Sequence, residues 1–373
     1  MTVTTDQAAP DQTAPDQVAA EAGFTRLRVA AVDELTSDSV AVTFTLPPEH
    51  AEAFRFSPGQ HLTLRRVVDG QDLRRTYSVC ASAAGGPLRV AVKRLEGGAF
   101  STWVTDALRP GDELEVLPPA GRFGPHLDPA RSQRYGLIAA GSGITPVLSI
   151  AATVLDVEPD SEVVLVYGNR TQADVMFLEE LSDLKDRFPA RLQVLHVLSR
   201  EEQESELLSG RIDGERLQRL FATLLPVVDV DEWYLCGPFG MVTGGKQSLL
   251  DAGVDPSRVH IELFHADAPP PRPPREHTGD QTASTVTVVL HGRTSTLAVD
   301  RDGDSVLDRV LATRPDAPYA CKGGVCGTCR ARVVEGAVEM DVNYALEPDE
   351  LAAGVVLTCQ SHPTTDTVRL EFL

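Results

Sequence analysis

Cys321-Lys322-Gly323-Gly324-Val325-Cys326-Gly327-Thr328-Cys329, with a fourth cysteine downstream at Cys359, is the stretch that decides how this chain is read. C-x4-C-x2-C followed by a distant fourth thiol is the spacing that holds a [2Fe–2S] cluster, whose two irons take four thiolates. The intervening residues suit that task. Lys322, Gly323, Gly324, Val325, Gly327 and Thr328 form a glycine-rich loop. Such a loop wraps a cluster and aims backbone N–H groups at sulfur, where bulky side chains would block the approach. Zinc is a weaker candidate, because zinc sites more usually pair two C-x2-C steps and this chain has only one. Structural or disulfide-bonded cysteines fit less well still in a chain of this length without a signal-peptide pattern. A cluster of this kind moves one electron at a time, so another part of the chain must supply electrons singly.

At 373 residues the chain is expected to form two or three domains, each with its own core. The formal charge of −20 argues against nucleic acid or an anionic membrane as the partner. No uninterrupted apolar run of transmembrane length stands out, and the N-terminus lacks the charged–apolar–small order of a signal peptide. Six cysteines, with the cluster claiming Cys321, Cys326, Cys329 and Cys359, fit a reducing compartment, so a cytoplasmic location is expected. The negative charge is uneven. Residues 21–130 are the closest to neutral, which suits an anionic cofactor in that segment.

The patterning divides the chain. Residues 1–20 are small, polar and proline-containing, without apolar periodicity, and read as a disordered tail. Residues 21–130 alternate in short runs, at 24–32, 40–46, 61–67, 88–93 and 113–117. Turn signals at Pro58-Gly59, Asp69-Gly70, Gly85-Gly86 and Pro110-Gly111 punctuate them, so an antiparallel β-barrel is expected. Residues 131–265 change character. Short buried strands at 135–139, 163–167, 192–198 and 233–236 alternate with helical stretches at 146–154, 175–187, 214–224 and 239–252, which implies an α/β domain with a parallel sheet. Residues 266–283 hold Pro269, Pro270, Pro271, Pro273 and Pro274 and read as a semi-rigid linker that lets the last domain swing. Residues 284–373 resume with a hairpin at 285–290 and 294–299, a helix at 306–312 and the cysteine loop.

Two strings in the barrel segment point to a bound cofactor. In Arg75-Thr76-Tyr77-Ser78 a strand places Arg75 and Tyr77 on one face. A guanidinium there can grip a phosphate while the ring lies against a flat heterocycle, although a strand tyrosine is more often core. Val92-Lys93-Arg94 leads to Gly97-Gly98-Ala99-Phe100-Ser101, where Ser101 is the expected cap of a helix over 102–108. A helix N-terminus beside glycines accepts a pyrophosphate, or is simply a capped helix. In the α/β segment Gly141-Ser142-Gly143-Ile144-Thr145-Pro146 follows a strand directly, with Pro146 expected in the first turn of the next helix. A second loop, Cys236-Gly237-Pro238 through Met241, ends the last parallel strand, where open α/β sheets bind ligands. His61 reads as structural or as a neighbour of the site.

Together these strings resemble the ferredoxin–NADP reductase family with a plant-type ferredoxin fused at the C-terminus, over roughly residues 21–373. The resemblance implies an FAD-binding barrel, an NAD(P)-binding domain and a β-grasp-like α+β ferredoxin domain. It places Arg75 and Thr76 at the FAD, with Arg75 on its pyrophosphate, Tyr77 against the isoalloxazine and Ser78 near the reactive ring nitrogen. Val92, Lys93, Arg94, Gly98, Phe100 and Ser101 complete the implied flavin site. Gly141, Ser142, Gly143, Thr145 and Pro146 would receive the dinucleotide pyrophosphate, and Cys236, Gly237, Pro238 and Met241 would border the nicotinamide. Glu262-Leu263-Phe264 matches the end of the reductase module, with Phe264 shielding the flavin. The stretch from Glu335 to Pro348, with Tyr167–Thr171 and Gly210–Gly214, resembles oxygenase reductases that serve a di-iron oxygenase of aromatic-ring epoxidation in phenylacetate catabolism. Reductases of Rieske-type steroid or aromatic hydroxylases are the alternative. NADPH is expected over NADH. Arg170 follows the second strand where an NADH enzyme would favour an acidic residue, and Ser199-Arg200 matches the pair that NADP-linked members place around the 2′-phosphate. Asp174 and Glu201 lie close by and argue the other way.

Replacing Cys326 by Ser is expected to abolish the cluster's visible absorption while leaving flavin reduction by nucleotide intact. Cys80 and Cys236 should be dispensable for iron. An unchanged cluster spectrum in the Cys326 variant would overturn the ligand assignment.

Overall fold

The computed structural model describes residues 23–68, 71–264 and 283–373. The expected tail and proline-rich linker lie outside these residues, apart from Ala283, which opens a strand.

The first domain holds β1 (Thr25–Thr36), β2 (Ser39–Thr45), β3 (His61–Val68), β4 (Gln71–Ser78), β5 (Arg89–Lys93), helix α1 (Ala99–Ala107) and β6 (Glu113–Val116). The strands run β4-β3-β6-β1-β2-β5, all antiparallel, and a bridge between Val79 and Val90 brings the two ends together as a barrel. Alternation does the sorting. Leu27, Val29, Val42, Leu62, Leu64 and Val90 point inward, while Arg26 and Arg28 point out. Helix α1 differs from the sequence expectation. It begins at Ala99 with Gly98 as its cap residue, because Phe100 and Val104 both bury in the barrel core. Ser101 is therefore inside the first turn and caps nothing. Its Oγ accepts from the Leu95 N–H (3.1 Å) and donates to the Gly98 carbonyl (3.2 Å).

The second domain follows with β7 (Arg134–Ala140), α2 (Ile144–Val157), β8 (Glu162–Asn169), α3 (Leu178–Arg187), β9 (Leu192–Leu198), α4 (Gly214–Thr223), β10 (Glu232–Gly237), α5 (Phe239–Asp251) and β11 (Val259–Leu263). Every strand pair is parallel, in the order β11-β10-β7-β8-β9. Helices α2 and α3 cover one face and α4 and α5 the other, which splits the core in two. The order reverses between β7 and β10, and that switch point is where such sheets bind ligands. The sequence pattern did not mark β11, a five-residue edge strand with only Val259 and Leu263 buried. The helix expected from Val175 starts at Leu178, because Phe177 adopts a φ of 60° and sinks into the core.

The third domain comprises β12 (Ala283–Leu290), β13 (Arg293–Asp300), α6 (Val306–Leu311), β14 (Arg330–Glu335), β15 (Val338–Met340), α7 (Pro348–Ala352), β16 (Val355–Leu357), β17 (Ser361–Pro363) and β18 (Thr367–Phe372). Its main sheet runs β13-β12-β18-β14-β16, with β12 and β18 parallel and the other pairs antiparallel. Helix α6 lays Val306, Leu307 and Val310 on this sheet, giving the expected β-grasp-like arrangement. The cysteine loop lies between α6 and β14. Among the described residues no helix is long and apolar enough to cross a membrane.

Gly136 in β7 shows how tightly the parallel sheet packs. A Cβ there would lie 2.5 Å from Cε3 of Trp233, which is fully buried and meets Phe221 edge-on. Gly136→Ala is expected to destabilise the nucleotide domain by about 1–3 kcal/mol, through overpacking of an unyielding indole. A lowered urea midpoint would register it, and an unchanged midpoint would show that Trp233 yields freely.

Candidate functional site

A cavity of about 390 Å³ opens where the three domains meet. The barrel contributes Arg75, Thr76, Tyr77 and Ser78 from β4, Ala91 and Lys93 from β5, and Gly98, Phe100 and Ser101 around the start of α1. The nucleotide domain adds Ser142, Thr145, Glu262, Leu263 and Phe264. The cysteine loop adds Cys321, Val325 and Cys326. Groups expected to hold flavin and cluster, with Ser142 and Thr145 of the first nucleotide loop, thus share one space.

The flavin side has the features a planar, phosphate-bearing cofactor needs. Tyr77 stacks on Phe100 with centroids 6.0 Å apart and a 30° tilt, which gives a flat aromatic wall. Arg75 lines the same space, and its guanidinium donates back to the Arg74 carbonyl (2.8 Å). The N-cap of α1 is glycine with no side-chain bond, so its first-turn N–H groups face a ligand without competition. Lys93 pairs with Asp38 at 3.2 Å while lining the cavity. Two expected residues are not brought in. Val92 is fully buried in the barrel core, and Arg94 turns to Thr105 (3.1 Å) and Asp106 on α1. Charge pairing on the helix holds Arg94 back, a contact that no local pattern announces.

At the cavity wall Ser78 and Glu262 meet Cys236, which is fully buried behind them. The parallel register sets Cys236 of β10 directly opposite Glu262 of β11. Ser78 Oγ donates to Glu262 Oε2 at 3.2 Å, and Cys236 Sγ lies 3.8 Å from the same oxygen. Burial pushes the Glu262 carboxyl up to about 8, against the pull of these two donors. It also pushes the Cys236 thiol well above its usual range, with the Glu262 carboxylate adding to the rise. His61, which the sequence marks only as structural or as a neighbour, lines the cavity, is 5% exposed and has no hydrogen-bond partner on Nε2. Burial, reinforced by Arg330, lowers its imidazole to about 4, so it is neutral at ordinary pH.

The two nucleotide loops abut. A Cβ on Gly143 would lie 2.2 Å from the Cys236 carbonyl oxygen, so only glycine lets the 141–146 and 236–241 loops touch. Gly141 has a φ of +54° and open space above its Cα, and Tyr167 anchors its carbonyl at 3.1 Å. Pro146 is buried as the third residue of α2, still within the first turn. Pro238 is the cap residue of α5 and Gly237 ends β10. Met241 is 6% exposed in the core and does not line the cavity, whereas Phe239 projects from the same loop and meets Tyr344 of the ferredoxin domain edge to face. Helical geometry explains the burial: α5 turns its third residue inward. Arg170 binds Asp174 (2.5 Å) and Asp38 (3.4 Å). Ser199 is half-buried and Arg200 exposed, both beyond the cavity wall.

The four loop thiols stand two by two. Cys321 and Cys326 act on each other's ionisation, and so do Cys329 and Cys359. Two irons in one cluster take two thiolates each, which this pairing matches. Among the described residues no three ligand-type side chains converge as they would around a single ion. The Gly323 N–H points at Cys321 Sγ (3.3 Å), the Thr328 N–H at Cys326 Sγ (3.5 Å) and the Gln360 amide at Cys359 Sγ (3.5 Å). Gly327 has a φ of +65°, and a Cβ there would strike the Arg330 guanidinium at 2.4 Å. The donor set and the tight loop fit a thiolate-held cluster. Gln360, which also bonds the Lys322 carbonyl (2.9 Å), carries no signal in the cysteine spacing.

A flavin wall, dinucleotide loops and a paired-thiol loop around one cavity define a protein that moves electrons from a pyridine nucleotide to an iron–sulfur centre. Matching family models are an oxidoreductase FAD-binding domain over residues 26–124, an oxidoreductase NAD-binding domain over 137–247 and a 2Fe-2S iron-sulfur cluster binding domain over 288–364. The chain is 47% identical to a subunit of the 1,2-phenylacetyl-CoA epoxidase of Escherichia coli K12, over 94% of this chain and 98% of that one. It is 38% identical to the ferredoxin reductase component of the 3-ketosteroid-9-alpha-monooxygenase of Rhodococcus rhodochrous, over 93% and 96%. Phthalate dioxygenase reductase, a modular structure for electron transfer from pyridine nucleotides to [2Fe-2S], superposes with a TM-score of 0.58 at 25% identity, over 95% and 99%. The chain belongs to the ferredoxin–NADP reductase family, in the group that carries its own [2Fe–2S] ferredoxin domain. It is an NAD(P)H-dependent oxidoreductase and the reductase component of a multicomponent oxygenase.

Glu262 has a testable signature. Its folded value of about 8 lies above the ordinary 4.5, so the native state keeps a proton that the unfolded chain loses. The contribution of Glu262 to stability therefore falls as pH rises from about 4.5 to 8 and is level outside that window. Glu262→Gln removes the titration. The variant should gain on the native chain across the window by at most about 1.4 kcal/mol per pH unit in urea unfolding. A difference independent of pH would place Glu262 at its ordinary value.

Proposed function

We propose that this reductase takes electrons from NADPH and delivers them to the di-iron oxygenase that epoxidises the ring of phenylacetyl-CoA. The observation that carries the relay is the placement of Cys321 and Cys326 on the same cavity as Tyr77, Ser78 and Phe264. When bound, FAD takes the two electrons of a hydride together and releases them one at a time, as a [2Fe–2S] cluster requires. Tyr77 and Phe264 hold the flavin plane, Arg75 and the α1 N-terminus hold its phosphates, and Ser78 orients its polar edge. Glu262, neutral below pH 8, keeps a proton next to Ser78 and Cys236. The 141–146 and 236–241 loops seat the dinucleotide.

The acceptor is supported by the 47% identity to the epoxidase subunit over almost the whole of both chains. Reconstitution tests it. With a purified di-iron epoxidase component, NADPH oxidation should depend on phenylacetyl-CoA. Support of a Rieske-type steroid or aromatic hydroxylase instead would redirect the assignment.

The preference for NADPH rests on Arg200, which is exposed on the turn after β9. The two acidic residues that favour NADH are both engaged. Asp174 closes a capping box with Thr171 and holds Arg170, and Glu201 accepts the Gln172 N–H at 2.8 Å. Replacing Arg170 and Arg200 together by Ala should weaken NADPH use by one to three orders of magnitude, about 1.4 kcal/mol for each factor of ten. NADH use should change little. An equal loss for both nucleotides would mean that these arginines hold the loop or the pyrophosphate.

A further inference from the structure

Arg74 is a charged side chain, 1% exposed, that the electron relay does not use. It sits on β4 between Asp72 and the flavin-site residue Arg75, on the opposite face of the strand from Arg75 and Tyr77. Asp72 accepts its Nε (3.1 Å) and one Nη (2.9 Å), and Asp72 is braced by Arg65 (2.9 Å). The rest of the fork leaves the barrel altogether. Nη1 donates to the Ala317 carbonyl (3.1 Å) and Nη2 to the Pro315 carbonyl (3.3 Å), both in the ferredoxin domain. The guanidinium also lies 4.2 Å from the ring centroid of Tyr319, two residues before Cys321.

We propose that Arg74 is a positioning residue: a latch that clamps the segment 315–319, and with it the cysteine loop, against the flavin cavity so that electrons pass from flavin to cluster within one chain. The chemistry suits a latch. Arginine's planar fork serves a carboxylate and two carbonyls at once, which a lysine cannot. Two other side-chain contacts of the ferredoxin domain, one to the barrel and one to the nucleotide domain, are weaker anchors. Arg122 and Asp349 are both more than half exposed, so water and salt screen their pairing. Phe239 and Tyr344 meet only edge to face, with centroids 5.9 Å apart. Each hydride brings two electrons. One reduces the cluster, and the second follows after the cluster has passed the first to the oxygenase component.

The inference rests on the relay reading, so the native holoprotein is measured first. Mixed anaerobically with NADPH, it should bleach its flavin absorption and then develop the EPR signal of the reduced cluster. Absence of that signal would remove the relay and the latch together. In Arg74→Ala, flavin bleaching should keep its native rate while the cluster signal develops at least tenfold more slowly. Hydrogen exchange at 314–320 should rise in the same variant, a readout that needs no turnover. Loss of both rates together, unchanged exchange, or a cluster signal within twofold of native would each overturn the latch. If Arg74→Ala fails to fold, Tyr319→Leu, which leaves the barrel untouched, is put to the same three measurements with the same outcomes decisive.

Discussion

The structure turns on one strand with two working faces. An edge strand leaves backbone groups and side chains on its rim open to solvent or to a partner, and folds must cover or blunt it. β4 is first in the order of the barrel sheet, and beyond β3, among the described residues, only the Val79–Val90 bridge past its end joins it to another strand. Its end lines the flavin cavity with Arg75 and Tyr77 from one face and Thr76 and Ser78 from the other, and Arg74, on the latter face, reaches across the domain boundary. Successive residues on a strand point oppositely by geometry alone. Flavin wall and docked ferredoxin domain are therefore held in register by about 3.3 Å of rise per residue. Slipping β4 by one residue would turn Arg74 away from the 315–317 segment, so the pairing of β4 with β3 fixes this contact as firmly as it fixes the barrel.

A second constraint comes from the parallel sheet. Cys236 and Glu262 meet because β10 and β11 pair in parallel with those two residues opposite each other. β11 also passes directly into Phe264, so one short strand delivers the Glu262 carboxyl and the aromatic wall together. Its edge position leaves it only partly covered by α5, which keeps the Glu262 side chain at the cavity rather than in the core. Burial without a cation to offset it then raises the carboxyl.

How much of this the sequence disclosed follows from how local each signal is. The cysteine spacing, the alternating barrel strands and the βα repeat depend on residues close in sequence, and the corresponding elements form where the pattern placed them. The flavin string at Arg75–Ser78 was legible because two neighbours on one strand face carry it. The start of α1 was not, because Gly98 and the burial of Phe100 decide it rather than Ser101. Met241 lies in the core because the angular phase of α5, which the loop motif does not carry, turns it inward. β11 escaped because five residues with two buried positions carry too little periodicity. Arg74 could not be found at all: its partners at 315 and 317 lie in another domain, and they are main-chain carbonyls that any residue would supply.

That last feature bears on how the ferredoxin domain can serve two partners. Cys321 and Cys326 line the flavin cavity, so this face of the loop is engaged while the domain is docked. Holding it by a salt bridge across the boundary would strand a buried charge on each side at every release, a loss of about 3–5 kcal/mol when one partner of such a pair is removed. Arg74 avoids this. Its counter-charge, Asp72, stays with it on the barrel, and the groups it releases are neutral carbonyls that water can satisfy. Exchange of a hydrogen bond for a bond to water leaves a net difference of only about 0.5–1.5 kcal/mol each. Separation at this contact therefore breaks two hydrogen bonds and one ring contact without unpairing a charge. An arginine already neutralised on its own side makes a contact specific in direction, through its fork, and shallow in energy.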